Sequence, residues 1–302
     1  MDPSAEGVKQ QSTKYSLARI AHLQRFFGMG ATVAASGPLR LIYPASAIDA
    51  AEEERLLHAM ARVHGGLLDW CHQIHLYPPR PDSELIIGLA SDRLQYELYL
   101  KQEALEGLKG SLGLTHPVRL SSLAQVDRKE LKSFELAVVA AHEMIHQFTV
   151  VSGLCPGWDS WPRWLHEGFA MLGDHIATSR VGENPRSQSY LEMTGFGAVN
   201  PERNAAWKKI SIGFEMKSFL KRDLLKNPLS HASDYAACWA ITHALAHWQN
   251  GEILTDLIEF LNIQQMQPES DLSIEIITAE WLLKQCGDEW PDFVKFMIHQ
   301  KS

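Results

Sequence analysis

The sequence predicts an α+β fold, with a small mixed sheet and a long buried helix first and a mostly α-helical lobe after them. Three observations lead there. Strand-like and helix-like stretches alternate as far as residue 126. Residues 127–151 then read as one long helix whose flank LAVVAA is nearly all apolar, so it belongs inside. From residue 206 onward every periodic stretch has helical spacing.

Each element has its own reason. Residues 1–14 are polar and read as a disordered lead-in. YSLARIAHLQRFFG, 15–28, has apolar residues at helical spacing, and MGATVAASG ends that short helix. LRLIYP, 39–44, alternates and reaches a proline, which predicts a strand. Residues 48–71 form a helix whose acidic first turn suits the positive end of its dipole, with Gly65–Gly66 as a weak point. HQIHLYPP, 72–79, reads as a second strand and ELIIGLA, 84–90, as a stronger one. Residues 91–108 begin with a Ser cap and read as helical or mixed, and HPVRLSSLA, 116–124, is a weaker strand. After the long helix, SGLCPGWDSWPR, 152–163, is a loop with two prolines and two glycines. WLHEGFAMLGDHIA, 164–177, is a second helix. Residues 178–205 are polar and read as a long surface excursion of the kind that serves as a lid. Helices follow over 206–225, 234–249, 251–263, 271–285 and 289–299. The predicted division is 1–36 as an N-terminal extension with a short helix, 37–177 as an α/β lobe with the metal-binding helices, and 178–302 as a helical lobe.

Composition narrows the function classes. With 45% apolar and 21% charged residues the 302-residue chain is ordinary for a folded protein with a real core. Its net charge of −8 gives no positive field to draw nucleic acid, so no nucleic-acid partner is expected. Cys71, Cys155, Cys238 and Cys286 form no C-x-x-C pair and are too scattered for a disulfide framework. The polar start shows no secretory signal, and the apolar stretch Leu136–Val151 is interrupted by His142, Glu143, His146 and Gln147, so no membrane span is expected. A cytoplasmic location is the expectation, with unconventional secretion leaving no mark.

The chemistry is concentrated in AHEMIHQF, 141–148, where His142, Glu143 and His146 make the pattern H-E-x-x-H. Residues four apart lie on one helical face, so two imidazoles so placed can share one zinc ion. Glu143, beside the first histidine, can reach a water on that metal without binding the metal. The zinc lowers the water's pKa and the carboxylate takes the proton. A catalytic zinc needs a third protein ligand. WLHEGFA offers Glu167, twenty-one residues after His146. His166, next to it, points about 100° away around the helix.

HEMIH followed by W-L-H-E-G-F-A resembles the gluzincin metallopeptidases, above all the catalytic core of the zinc aminopeptidases and the compact peptidase MA-like group. Their hallmark is H-E-x-x-H followed by a W-L-N-E-G-F-A segment. Here twenty residues lie between His146 and Glu167, slightly more than in the family, and His166 stands where the family has asparagine. The resemblance implies a thermolysin-like fold, one zinc ion on His142, His146 and Glu167, and Glu143 as general base. It implies a supporting role for Asp174, which lies two helical turns beyond Glu167 and in the family would orient a zinc-bound histidine. It also implies a downstream tyrosine that steadies the oxyanion. Tyr235, which shares a helical face with Trp239 and His243, is the first candidate, with His243 second and His231 third. His166 is read as a neighbour of the cleft or a packing residue. The G-x-M-E-N segment by which the aminopeptidases grip a free amine has no counterpart, so endopeptidase and aminopeptidase action both stay open. The expected function is a zinc-dependent peptidase acting on a peptide or protein. The alternatives are an inactive zinc-binding protein of the same fold that holds a partner or peptide in its groove, and hydrolysis of a non-peptide acyl bond.

Overall fold

A computed structural model describes residues 3–28, 30–126, 133–174, 196–197, 199–222, 232–266, 272–289 and 293 of the chain. Its elements are α1 (Pro3–Phe27), β1 (Ala31–Ser36), β2 (Leu39–Pro44), α2 (Ala50–Gln73), β3 (Leu85–Ala90), α3 (Arg93–Gln102), β4 (Gly113–Thr115), β5 (Ser122–Gln125), α4 (Ser133–Val151), α5 (Arg163–Met171), α6 (Pro201–Ile210), α7 (Met216–Leu220), α8 (Ala232–His247), α9 (Glu252–Met266) and α10 (Ile274–Cys286). The fold is α+β, with a small mixed five-stranded sheet and a mostly helical remainder. The chain divides into two compact units, one of Met1–Gly65 and Arg80–Ser152, the other of Gly66–Pro79 and Gly153–Ser302.

The sheet lies in the first unit, in the order β1-β2-β3-β5-β4. Gly37, at φ 55°, and Pro38 turn β1 back on β2 as an antiparallel hairpin. β2, β3 and β5 run parallel, and β4 closes the far edge antiparallel to β5. Every residue of LIIGLA in β3 is buried, as a strand covered on both faces requires. Helices α1 and α3 contribute Leu23, Tyr96, Tyr99 and Leu100 to a core with Ile42, Ile86 and Leu123 of the strands. Gly88 is needed there: a Cβ would stand 2.8 Å from Leu123 and 3.2 Å from Phe27. Helix α4 packs on β3, β4 and β5.

One polar residue locks α4 to the sheet. Ile86 lies one residue before β3 begins pairing with β5 at Ile87↔Ser122. There the Gln147 side-chain amide takes the place of a strand, donating to the Ile86 carbonyl at 3.0 Å and accepting the Ile86 N–H. Gln147 is fully buried. Replacing it with Leu leaves a buried donor and a buried acceptor of Ile86 unmet. The expected cost is about 2–4 kcal/mol in denaturant unfolding; an unchanged midpoint would show that the amide is dispensable.

The second unit is organised on α8, which packs against α5, α6 and α9. Its residues Ala236 to Ala246 are all buried. Gly168 of α5 makes the closest approach: a Cβ there would lie 2.0 Å from Thr242 Oγ1 and 2.4 Å from the Cys238 carbonyl oxygen. The glycine of WLHEGFA is thus a packing requirement.

The structure corrects several expectations. Residues 3–14 belong to α1, which runs unbroken to Phe27, where a disordered lead-in was expected. ATVAAS is a strand and not a mere break, because β2 offers it a hairpin partner. Residues 72–79 are not a strand: α2 continues through Gly65–Gly66 to Gln73, and His75 (φ 58°) then turns the chain before Pro78–Pro79. The cap of α3 is Asp92, whose carboxylate accepts from the Gln95 N–H at 2.8 Å, and not Ser91. Of the strand expected over 116–124 only Ser122–Ala124 is extended, in β5; residues 116–121 form the turn that joins it to β4. Residues 201–205 open α6, capped by the Asn200 side chain, and are not part of an irregular excursion. The helix expected over 206–225 is interrupted between α6 and α7, where Gly213 sits at φ 83°. Residues 178–195 and 198 of the expected excursion, and nearly all of the helix expected over 289–299, lie outside the described residues.

Candidate metal centre

Helix α4 presents two adjacent stripes. Gln147 and Glu143, four apart, face the strands, and His142 and His146 form the next stripe around the helix. The anchoring of Gln147 on Ile86 therefore fixes the rotation of the helix and with it the direction of both imidazoles. The two His Nε2 atoms converge to 3.1 Å, with the rings nearly perpendicular at 84°. Two nitrogens on one tetrahedral zinc, each about 2.0–2.1 Å from it, would be about 3.3 Å apart, so the pair fits a shared ion. His142 is half-buried and His146 is buried.

Glu143 is buried on the strand side of the same helix. Its Oε2 accepts from Thr115 Oγ1 of β4 at 2.9 Å, and its backbone carbonyl accepts from Ser122 Oγ of β5 at 3.1 Å. The strands thus hold the carboxylate beside His142.

Glu167 comes from α5, buried, with the Arg163 guanidinium one turn earlier at 3.3 Å. Burial first, and then the negative charge of Glu167, hold the Cys238 thiol well above its usual range, so that thiol stays protonated. His142, His146 and Glu167 form a group that could hold a metal ion, each offering one ligand atom, with these atoms within 4.8 Å of one another. Two imidazoles and a carboxylate are a donor set suited to zinc.

The other sequence candidates divide by surroundings. His166 Nε2 donates to the Trp158 carbonyl at 2.9 Å, and its ring stacks on the Trp158 indole at 4.8 Å. His243 is buried against Trp239 and His247, and burial first, then His247, lowers its pKa to about 3. It is therefore neutral near pH 7. Asp174 is buried, 3.8 Å from the Arg203 guanidinium, which also lies 5.9 Å from the Tyr235 ring. Tyr235 is half-buried at the start of α8. His231 lies outside the described residues.

Sequence reading missed Thr115, Gln147, Arg163 and Arg203. Only Arg163 carried a local signal, the i,i+4 spacing to Glu167 on a helix.

Among the described residues no helix is long and apolar enough to cross a membrane. Residues 135–267 are similar to a family described as a protein of unknown function, DUF1570. That span covers less than half of the chain but takes in α4 from Glu135, α5, Tyr235 and α9. No curated protein matches the chain.

Proposed function

We propose that this chain is a zinc-dependent peptidase of the gluzincin kind. The observation that carries the reading is the donor group of His142, His146 and Glu167 with Glu143 beside the first histidine. When bound, zinc supplies Lewis acidity that brings the pKa of a water down to about 7 and polarises a carbonyl.

The chain's own residues do the rest. His142, His146 and Glu167 hold the ion and leave a position open for water and substrate. Glu143 takes the proton of the attacking water and delivers it to the departing amine. Tyr235 donates a hydrogen bond to the oxygen on which negative charge develops, in the role the resemblance gives it, while neutral His243 could offer a donor without a charge. The G-x-M-E-N segment that grips a free terminal amine in the aminopeptidases has no counterpart in the sequence, which favours cleavage inside a chain.

The test is hydrolysis of a mixed peptide library, both free and blocked at the amino terminus, by the purified chain with zinc, with chelator, and with zinc restored. Cleavage of blocked peptides that chelator stops and zinc restores is expected. Cleavage indifferent to chelator contradicts the reading, and zinc binding without cleavage makes the protein a binding module.

A further inference from the structure

Strand β4 touches the proposed general base at two alternate positions, Gly113 and Thr115, which share one face of the strand. At Gly113 a Cβ would stand 2.8 Å from Glu143 Cγ, 3.0 Å from Glu143 Oε1 and 2.7 Å from Val139 Cγ1. Any larger residue at 113 would occupy the space that the carboxylate arm uses. At Thr115 the hydroxyl lies 2.9 Å from Glu143 Oε2 and is buried with it. We infer that Gly113 and Thr115 form a cradle that positions the Glu143 carboxylate, with Thr115 a positioning residue that acts through Glu143.

Hydroxyl bookkeeping supports this assignment. Thr115 Oγ1 also lies 2.9 Å from the Glu143 carbonyl oxygen and 2.8 Å from Ser122 Oγ, but it has one proton to give. The Glu143 carbonyl already lies in a continuous helix, and Ser122 Oγ reaches it at 3.1 Å. The ionised carboxylate is the stronger acceptor, and a hydrogen bond to it is about twice as strong as one between neutral groups. The Thr115 proton therefore goes to Oε2, and the Ser122 proton is shared between Thr115 Oγ1 at 2.8 Å and the carbonyl at 3.1 Å. One Glu143 oxygen is held by the threonine, and the other, Oε1, lies on the side where Gly113 leaves room. The geometry concerns one unit of the chain only, since α4, β4 and β5 all lie in the first.

The role given to Glu143 rests on the peptidase reading, whereas the cradle is read from geometry and can be tested without it. Three variants separate shape from hydrogen bonding. Thr115→Val keeps the outline and removes the donor, Thr115→Ser keeps the donor, and Gly113→Ala fills the space. The first readout is the position of the Glu143 side chain in crystal structures of the zinc-loaded wild type, Thr115→Val and Thr115→Ser. The expected result is a carboxylate on Thr115 in the wild type and on Ser in Thr115→Ser, displaced or spread over several rotamers in Thr115→Val. The second readout is steady-state kinetics. Thr115→Val should lose about 10- to 100-fold in kcat with KM little changed and zinc content retained, and Thr115→Ser should recover most of it. Gly113→Ala should lose kcat in the same way. A Glu143 carboxylate that keeps its place in Thr115→Val, or equal loss of kcat in Thr115→Val and Thr115→Ser, overturns the cradle. A wild type that cleaves no peptide refutes the peptidase reading instead, and the crystal structures still decide the cradle.

Discussion

Glu143→Gln should retain zinc and lose peptide hydrolysis by about 10²–10⁴-fold, the range that a positioned general base contributes. Glutamine keeps the length and outline of the side chain, and its carbonyl oxygen can still accept the Thr115 hydroxyl that reaches Oε2 at 2.9 Å. The neighbouring His142 and His146 are untouched, so their Nε2 atoms should still converge as in the wild type. What the amide cannot do is take a proton from water. The effect should therefore fall on kcat and leave thermal stability and metal content close to wild type. A variant that hydrolyses peptides at the wild-type rate would remove Glu143 from the chemistry, whatever the metal does.

Gly168→Ala should be the most damaging small substitution in the second unit. A methyl group at 168 would sit 2.0 Å from Thr242 Oγ1, 2.8 Å from Thr242 Cβ and 2.4 Å from the Cys238 carbonyl oxygen. The first of these can move with a rotamer, but the carbonyl belongs to a buried helix and cannot. Overpacking of this kind costs about 3 kcal/mol, which lowers Tm by roughly 5 °C in a protein of this size. Glu167 precedes the glycine, so pushing α5 away from α8 should also displace a proposed ligand and weaken metal retention. Adding Thr242→Ala should restore only part of the loss, because the Cys238 carbonyl stays in place. A Gly168→Ala protein with wild-type Tm would mean that the two helices do not meet as described.

The elements that are legible in the sequence are those set by local spacing. HEMIH places two imidazoles on one face because a helix repeats at 3.6 residues, whatever surrounds it. LIIGLA reads as a buried strand because nothing in it suits water. ATVAAS does not declare itself, since alanine and serine carry little strand preference, and what makes it a strand is the partner LRLIYP beyond the Gly37–Pro38 turn. HQIHLYPP misleads in the opposite sense. Its alternation suits a strand, but its first residues finish a long helix and its prolines cannot join a ladder. In the site, the residues that hold the chemistry in place are invisible locally. Thr115 meets Glu143 across 28 positions and Gln147 meets Ile86 across 61. A threonine in a short strand and a glutamine in an apolar helix acquire meaning only once the sheet is assembled. Glu167 could be nominated from its motif, but the reason for its glycine neighbour is found on α8.

Zinc content, measured by mass spectrometry on purified wild type and on His146→Ala, Glu167→Ala and Glu143→Gln, tests the central claim most directly. One zinc per chain is predicted for the wild type and for Glu143→Gln, and a near-complete loss for His146→Ala and Glu167→Ala in proteins that remain folded. Full zinc occupancy in folded Glu167→Ala, or no zinc in the wild type after exposure to the metal, would contradict a His142–His146–Glu167 centre.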